Sequence, residues 1–412
     1  MSQKLVVVFF ILFSVSTSFG QQINIGIRDT VHSDILEDDR PLSIYLPPSY
    51  HYKPDQHYPV LYILDGDYNF RYVAGLLELQ GGISENIPEM ILVGISGKGS
   101  TTYKKNCKPT IPGVKDGGNA DEVLSFIEQE LMPYIEKHYK SLGFNVLAGH
   151  SVGGIFIVNA ALKRPELFNK YIAISPALWW EENAMNKVAK ETYTTKDSLN
   201  TEVYVSLANE KRMGVKEFLE VAGPEFKFRK FERENHNSVG APTYKWALRD
   251  IFKEWKIEKP YFESAEELEK YISKNASAFD IPLPIAEAVL YNSVVYVLKD
   301  QPEELAKIKD LVSANYPNSE AFLASLFAAN AIRDKNYDEA EAILKESLEE
   351  HPGSFELYEK LAEVHLKKEQ IQTAQEEINK AIRLAEDQKL RLWRIEELRD
   401  LENKIEAEVS KS

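Results

Sequence analysis

The feature that most constrains the fold is a change of sequence period near Trp255. Before this residue, short β-branched and aromatic runs alternate with helical stretches, whereas from about residue 264 helix follows helix. Alternating strand and helix patterns predict an α/β fold with a mainly parallel sheet. The second part is predicted to be an all-α region with a core of its own.

Seven runs in the first part are predicted to be strands. Five are almost continuously apolar, which is typical of parallel strands covered on both faces. Two earlier runs have no helix between them and are expected to form an antiparallel edge. Between the strands lie helical patterns such as residues 120–140. The five apolar runs are 59–66, 90–96, 145–151, 171–176 and 203–208, and the two early ones lie around 23–29 and 40–47.

A 34-residue repeat organises the second part and resembles the tetratricopeptide pattern. Tyr337, Leu344 and Pro352 fall where that pattern has an aromatic residue, a large apolar residue and a terminating proline, while Asp310 marks a degenerate first repeat. Such arrays bind peptides or partner proteins, and the alternative is that they brace the first domain or form a dimer interface. Two sets of small residues carry the period: Ala306, Ala340 and Ala374, and Val294, Ala328 and Ala362.

The amino-terminal residues and the composition indicate where the protein is located and which partners are disfavoured. A lysine precedes about a dozen mostly apolar residues, which indicates a signal peptide over 1–20 and a secreted or periplasmic protein without a transmembrane anchor; an uncleaved anchor is the alternative. The net charge of −15 disfavours nucleic acid as a partner. The predicted domains are an α/β domain (23–258), a helical linker (259–284), helical repeats (285–386) and a capping helix (387–412).

The stretch NVLAGHSVGG (145–154) is a candidate nucleophile elbow. A strand precedes Ser151 and a helix follows it, while Gly149 and Gly153 allow the backbone to crowd at a sharp turn. The helix amino terminus favours developing negative charge. The alternative is a small residue at a buried crossing. The pattern and its context favour Ser151 as a nucleophile.

A serine hydroxyl needs a general base, and His236 is the candidate. Of the three histidines that follow Ser151, His351 and His365 fall in the helical repeats, whereas His236 follows a strand-like run. Glu210 comes just after the strand at 203–208 and is the candidate acid that would orient the imidazole. A serine–histidine dyad without a close acid is the alternative.

Acyl transfer also requires donors for the oxyanion that develops on the substrate. The N–H of Val152, directly after Ser151, is one candidate. Asp65-Gly66 ends an early central strand, and the N–H of Asp67 is the second. An ordinary turn at this Asp-Gly pair is the alternative.

In the order in which they occur, these motifs resemble the esterase family of the α/β-hydrolase fold that includes esterase D, feruloyl esterases and trilactone siderophore esterases. The resemblance extends from about Leu42 to Trp255 and is carried by YPVLYILDGDYNF, ILVGIS, LAGHSVGG, ISPALWW and ENHNSV. It implies hydrolysis of carboxylic esters through an acyl-enzyme, without metal or organic cofactor. It places the nucleophile at Ser151, the base at His236 and an acid near Glu210.

The sequence is compatible with several substrate classes. Trp179 and Trp180 follow a strand end and are candidate substrate contacts, or else core residues. The long connection at 97–118 carries five lysines and is expected to be a loop, either for an anionic ester or simply solvated. Aromatic esters, siderophore lactones and acetylated sugars are the substrate classes considered. A secreted esterase is favoured over an acyltransferase with the same residues and over a non-catalytic protein that binds partners through its repeats.

Overall fold

The computed structural model describes residues 24–257, 259 and 261–409, so the predicted signal peptide lies outside the described residues. Among the described residues, eight strands form one sheet in the order β1-β2-β4-β3-β5-β6-β7-β8. The strands are β1 (Ile27–Ser33), β2 (Asp38–Tyr45), β3 (Tyr58–Leu64), β4 (Ile91–Ile95), β5 (Ser141–His150), β6 (Lys170–Ile174), β7 (Glu202–Leu207) and β8 (Phe226–Lys230).

The sheet is parallel from β4 across to β8, and β1 and β2 form the expected antiparallel edge. The mixed, mostly parallel architecture predicted from the sequence is thus confirmed. Because parallel strands point the same way, the residues that follow β3 to β8 meet at one edge of the sheet. We call this the carboxyl edge, and the opposite one the amino edge.

Helices cover both faces of the sheet, and each face has its own apolar core. The predicted helix at 120–140 runs from α3 to α4 through a π-helical turn at Ile127–Leu131. The helices of this part are α1 (Gly66–Leu77), α2 (Ser100–Cys107), α3 (Ala120–Phe126), α4 (Met132–His138), α5 (Val152–Lys163), α6 (Trp180–Thr192), α7 (Val215–Leu219) and α8 (Gly240–Ile251).

The connection at 97–118 is not a simple loop, as the sequence analysis expected. It contains α2, whose Tyr103 and Cys107 pack against the core on one face of the sheet. Burial raises the pKa of the Cys107 thiol. Lys98 pairs with Asp38, and Lys108 with Asp116. The high lysine content hid an amphipathic helix turn, and two of the five lysines already have carboxylate partners.

The second part is all-helical, as the repeat predicted. Within it, Ala340 and Ala374 are fully buried, whereas Ala306 is exposed and Ile308 takes the buried position instead. The first repeat therefore departs from the other two. In the described part of the chain, no helix has the length and apolarity needed to cross a membrane. The helices are α9 (Ala265–Phe279), α10 (Glu287–Asp300), α11 (Leu305–Asn315), α12 (Glu320–Arg333), α13 (Tyr337–Glu350), α14 (Phe355–Lys367), α15 (Ile371–Asp387) and α16 (Leu392–Val409).

The helical part packs against the amino edge of the sheet. The ring of Tyr52, ahead of β3, lies 6.2 Å from the ring of Phe355 in α14. The indole N–H of Trp255 donates to the carbonyl of Pro284 at 2.6 Å. Phe279 of α9 makes an edge-to-face contact with Phe144 and belongs to the core on one face of the sheet. The repeats are thus attached on the side away from the carboxyl edge.

A cluster of charged side chains lies in this contact, which we call the seam cluster: Lys53, Glu89, Glu287 and Glu356. Lys53, from the sheet domain, forms an ion pair with Glu287 of α10. Burial disfavours the charged lysine, but Glu287 outweighs this effect and raises its pKa. Burial, with a contribution from Glu287, raises the pKa of Glu356 to about 6. The seam holds more carboxylates than its one lysine can neutralise.

Candidate active site

Ser151 occupies a strained turn between β5 and α5. Its backbone dihedral angles are φ 57° and ψ −112°, a region that residues with side chains rarely adopt. The Ser151 N–H donates to the carbonyl of Ile174 at 2.9 Å, and the Ser151 carbonyl accepts from the N–H of Ala177 at 3.0 Å. The serine is therefore held at the carboxyl edge in the geometry of a nucleophile elbow.

Gly149 and Gly153 let the chain turn back on itself at this point. A Cβ atom on Gly149 would lie 2.6 Å from the carbonyl oxygen of Gly153. A Cβ atom on Gly153 would overlap the hydroxyl of Tyr103, which comes from α2. The path of the backbone therefore requires Gly149, whereas Gly153 leaves room for the side chain of Tyr103.

Glu210 and His236 come together at the same edge of the sheet. The Nδ1 atom of His236 lies 2.6 Å from Oε1 of Glu210, although its N–H direction is not aligned for a linear hydrogen bond. The exposed fractions of the two side chains are 34% and 15%. The other oxygen of Glu210 accepts from the hydroxyl of Ser175, at the end of β6. A carboxylate at Nδ1 favours the tautomer that leaves Nε2 free to accept a proton.

A backbone hydrogen bond joins the two loops that carry these side chains. The N–H of Asn209, beside the acid, donates to the carbonyl of Glu234 at 2.9 Å, two residues before the base. The side-chain oxygen of Asn235 accepts from the N–H groups of Asn237 and Ser238 at 2.9 and 3.2 Å and fixes the turn around His236. The relative position of acid and base is therefore set by the main chain as well as by their own contact.

His150, which precedes the serine, packs against the candidate base. The centroids of its ring and the His236 ring are 4.5 Å apart, and the planes are tilted by 36°. Burial, together with the proximity of His236, lowers the pKa of His150 to about 4. Because His150 directly precedes Ser151, this contact locates His236 beside the elbow.

Two helices, packed on opposite faces of the sheet, begin after neighbouring strands at the candidate oxyanion site. Val152 is the first residue of α5 and Asp67 the second residue of α1, so their N–H groups belong to first turns that have no intrahelical acceptor. Strands β3 and β5, which lead into these helices, are hydrogen-bonded neighbours. Asp65 makes the turn into α1 with a left-handed φ of 55°. The fold thus provides two sets of backbone donors close to Ser151.

The carboxylate of Asp67 is bound to groups outside the elbow. It accepts from Arg28 at 3.1 Å and from the hydroxyl of Ser96. Burial opposes its ionisation, but these hydrogen bonds outweigh burial and lower the pKa of Asp67. The carboxylate thus pairs with Arg28 of β1 and accepts a hydrogen bond from the turn after β4, a feature that local sequence does not reveal.

The two tryptophans of the WW pair have different environments. Trp180 is buried, and its indole nitrogen is 3.4 Å from a carboxylate oxygen of Asp116, whereas Trp179 is 56% exposed. The backbone N–H of Trp179 donates to the carbonyl of Met213 at 3.0 Å. The loop that carries Trp179 is therefore bonded to the loop that carries Glu210. Trp180 is therefore part of the core, which was the alternative considered for it. Trp179 remains a candidate.

A kink near the start of α6 contains three successive residues in the left-handed region. Glu181, Glu182 and Asn183 have φ values of 45°, 55° and 63°. Each such residue costs roughly 1–2 kcal/mol, and strain of this kind gathers near functional sites. The turn packs against Gly214, where a Cβ atom would lie 2.5 Å from Oδ1 of Asn183. It lies at the same edge as the elbow.

The mostly parallel sheet with helices on both faces is the fold of an α/β-hydrolase, and the candidate site lies at its carboxyl edge. Residues 33–237 match the family described as "Putative esterase", and residues 331–396 match a tetratricopeptide repeat. The chain belongs to this esterase family through the first segment and carries a tetratricopeptide region after it. The resemblance inferred from the sequence is confirmed.

The curated relatives include one bacterial and one fungal siderophore esterase. The ferri-bacillibactin esterase BesA of Bacillus subtilis is 31% identical over 147 residues, which cover 31% of this chain and 51% of that protein. The siderophore triacetylfusarinine C esterase of Aspergillus fumigatus is also 31% identical over 147 residues, with 34% and 50% covered. The chain spans about half the length of the curated relatives it matches.

Among solved structures, the crystal structure of an IroE-like serine hydrolase from Shewanella oneidensis has the same fold. It aligns with a TM-score of 0.60 and 25% identity, over 69% of this chain and 98% of that chain.

Proposed function

We propose that the protein is a serine esterase in which Ser151 is the nucleophile, His236 the general base and Glu210 the acid that orients it. The observation that carries this proposal is the 2.6 Å contact between Glu210 and His236 beside a strained serine turn. Membership of the esterase family supports the reaction class.

The proposed reaction has two steps. The Oγ atom of Ser151 attacks the ester carbonyl while Nε2 of His236 takes its proton, and the N–H groups of Val152 and Asp67 stabilise the oxyanion. The alcohol then leaves with the proton from His236, which gives an acyl-enzyme. Water attacks the acyl carbonyl with His236 again as base, and the carboxylic acid departs from Ser151.

For the substrate we propose a siderophore-type ester. Two curated relatives are siderophore esterases. Two exposed aromatic side chains flank the elbow: Tyr68, which is 70% exposed, follows Asp67, and Trp179 follows the stretch bonded to Ser151. Such rings offer flat apolar surfaces to an aromatic acyl or alcohol group. On the residues of 1–20 alone, we further propose that the protein is exported.

The test is Ser151→Ala, assayed on p-nitrophenyl acetate, enterobactin, triacetylfusarinine C, a feruloyl ester and an acetylated sugar. We expect turnover to fall by about 10⁴-fold or more, because removal of a nucleophile leaves only binding and oxyanion stabilisation. The exposed Ser198→Ala is the matched control and should keep full activity. Unchanged turnover in Ser151→Ala would falsify the mechanism.

The same panel separates the alternatives. Repeating it with added acceptor alcohols distinguishes hydrolysis from acyl transfer, because an acyltransferase forms a new ester in preference to the free acid. If the wild-type protein turns over none of the esters, binding through the repeats becomes the leading explanation. Preference for the two siderophores over the sugar and feruloyl esters is the expected result.

A further inference from the structure

The ring of His150 covers one face of the His236 ring. The centroid distance of 4.5 Å and the tilt of 36° describe a face contact rather than a chance approach of two edges. His150 ends β5, and the next residue is Ser151. The same short stretch of backbone therefore carries both the nucleophile and the ring that contacts the base.

We propose that His150 is a positioning residue that holds the imidazole of His236 in its working orientation. This proposal rests on the proposed function, since it concerns the base of the same reaction. His150 itself contacts neither substrate nor reacting atoms in the proposed steps, and it acts through His236.

The contact between Glu210 and His236 leaves a degree of freedom that His150 removes. The carboxylate touches only Nδ1, and the N–H is not aligned with the carboxylate oxygen. A single contact at one atom allows the ring to rotate about it. A flat neighbour on the ring face blocks that rotation, because turning the imidazole out of plane would bring its atoms into the His150 ring.

His150 is held in turn by the elbow and its neighbours. The hydroxyl of Tyr103 donates to the His150 carbonyl at 3.3 Å, and β5 pairs with β6 up to His150 and Ile174. The backbone beneath His150 therefore cannot shift without moving two strands and α2. A ring on this backbone is a fixed wall for a base that sits on a loop.

The charge state of His150 fits this role. The titratable groups that face its ring are His236 and Glu210. Its pKa of about 4 keeps it neutral at pH values where a histidine base is active. A neutral aromatic ring beside the imidazolium that forms during turnover is attractive, whereas a charged one would repel it.

The experiment compares His150→Ala with His150→Phe in the full-length chain. On p-nitrophenyl acetate we expect Ala to lower kcat by about 10–100-fold with little change in KM, since a misplaced base slows chemistry without weakening binding. Phe keeps a flat ring and should recover kcat to within a few-fold of wild type. Rates are expressed per active site, counted by stoichiometric labelling with a phosphonate ester, so that misfolded protein does not count.

Three results would overturn the positioning role. A wild-type kcat in His150→Ala would rule out the positioning role. An increase in KM without a change in kcat would rule it out as well. If Phe is as slow as Ala, the ring face is not what matters. Should Ala fail to fold, the smaller planar His150→Asn takes its place and must still be slower than Phe.

Ser151→Ala, assayed in parallel, separates this proposal from the proposed function. If Ser151→Ala is inactive while His150→Ala matches wild type, only the positioning role is lost. If Ser151→Ala remains active, the serine mechanism itself fails, whatever the His150 variants do.

Discussion

The carboxyl and amino edges of one sheet use charged residues in opposite ways. At the carboxyl edge, Glu210 and His236 stay partly exposed beside a backbone held at φ 57° at Ser151. At the amino edge, Lys53 is 12% exposed, ion-paired with Glu287 and enclosed by the helical repeats. The exposed fractions of the two pairs are similar, because Glu287 is 31% exposed. The edges differ in that one pair lies beside a strained turn and the other joins two parts of the chain.

We expect this difference to separate residues that act on a substrate from residues that hold the structure. Backbone strain at the carboxyl edge lowers stability, and strain of this kind gathers near functional sites. In the seam cluster, removal of one partner would leave a buried charge unpaired, which costs several kcal/mol. Substitutions at the first edge should therefore change rates, and those at the second edge should change stability. Four variants test this division.

Glu210→Gln should have the largest effect of the four. It keeps the shape of the side chain but removes the charge that orients His236, and we expect kcat to fall by about 10²–10⁴-fold with the melting temperature nearly unchanged. Steady-state kinetics on p-nitrophenyl acetate measures it, with the exposed Glu220→Gln as control. A near-normal rate would show that a serine–histidine dyad operates, aided by the His150 ring.

Lys53→Met removes the one lysine of the seam cluster. We expect a loss of about 3 kcal/mol in the free energy of unfolding, because the carboxylates around it lose their partner, while kcat/KM of the folded protein stays at the wild-type level. Urea unfolding and an ester assay on one preparation measure both. The control is Lys274→Met, which breaks a more exposed ion pair with Glu254 and should cost at most about 1 kcal/mol.

A large loss of kcat/KM in Lys53→Met would contradict the division between the edges. It would mean that the amino edge is coupled to the site through the strands.

Glu356 should make stability depend on pH. Its pKa is raised from 4.5 to about 6, so the stability it contributes is complete below pH 4.5 and declines as the pH rises through 6. The decline is at most about 2 kcal/mol. Glu356→Gln should abolish this pH dependence when unfolding is measured between pH 4 and 8.

The exposed Glu376→Gln, on α15, serves as the control for Glu356→Gln and should keep the wild-type profile. A profile of Glu356→Gln that matches wild type would show that another group of the seam cluster takes up the proton.

Trp179→Ala should have the smallest effect. Loss of a ring contact worth about 1 kcal/mol should raise KM for aromatic esters about 5-fold, while acetate esters change less. Trp393→Ala is the matched control, because Trp393 is also exposed, at 59%, but lies at the repeats. Equal KM values for wild type and Trp179→Ala on the aromatic substrates would remove Trp179 from the substrate site.

Much of the fold was predictable from local sequence. Apolar runs marked β3 to β7 because strands buried on both faces need apolar side chains at every position. The repeats were also predictable, because small residues recur every 34 positions along the second part of the chain. The connection at 97–118 was missed because its lysines outweigh the few positions, Tyr103 and Cys107, that α2 buries.

The candidate site was predictable where chain order limits the choices. Ser151 and Glu210 each follow a strand, and His236 was the remaining histidine outside the repeats. The contacts of His150 with His236, of Ser175 with Glu210 and of Arg28 with Asp67 depend on how distant loops meet in space. The two tryptophans look alike in sequence, and only packing separates buried Trp180 from exposed Trp179.

The attachment of the repeats at the amino edge has a consequence for how such a chain can diversify. Loops at the carboxyl edge can lengthen, shorten or change composition to suit a new ester without disturbing the contact with the repeats at the amino edge. Helices at the amino edge can likewise be exchanged or extended without moving the serine turn. The sheet acts as a partition, and each side of the molecule can be altered as a separate module.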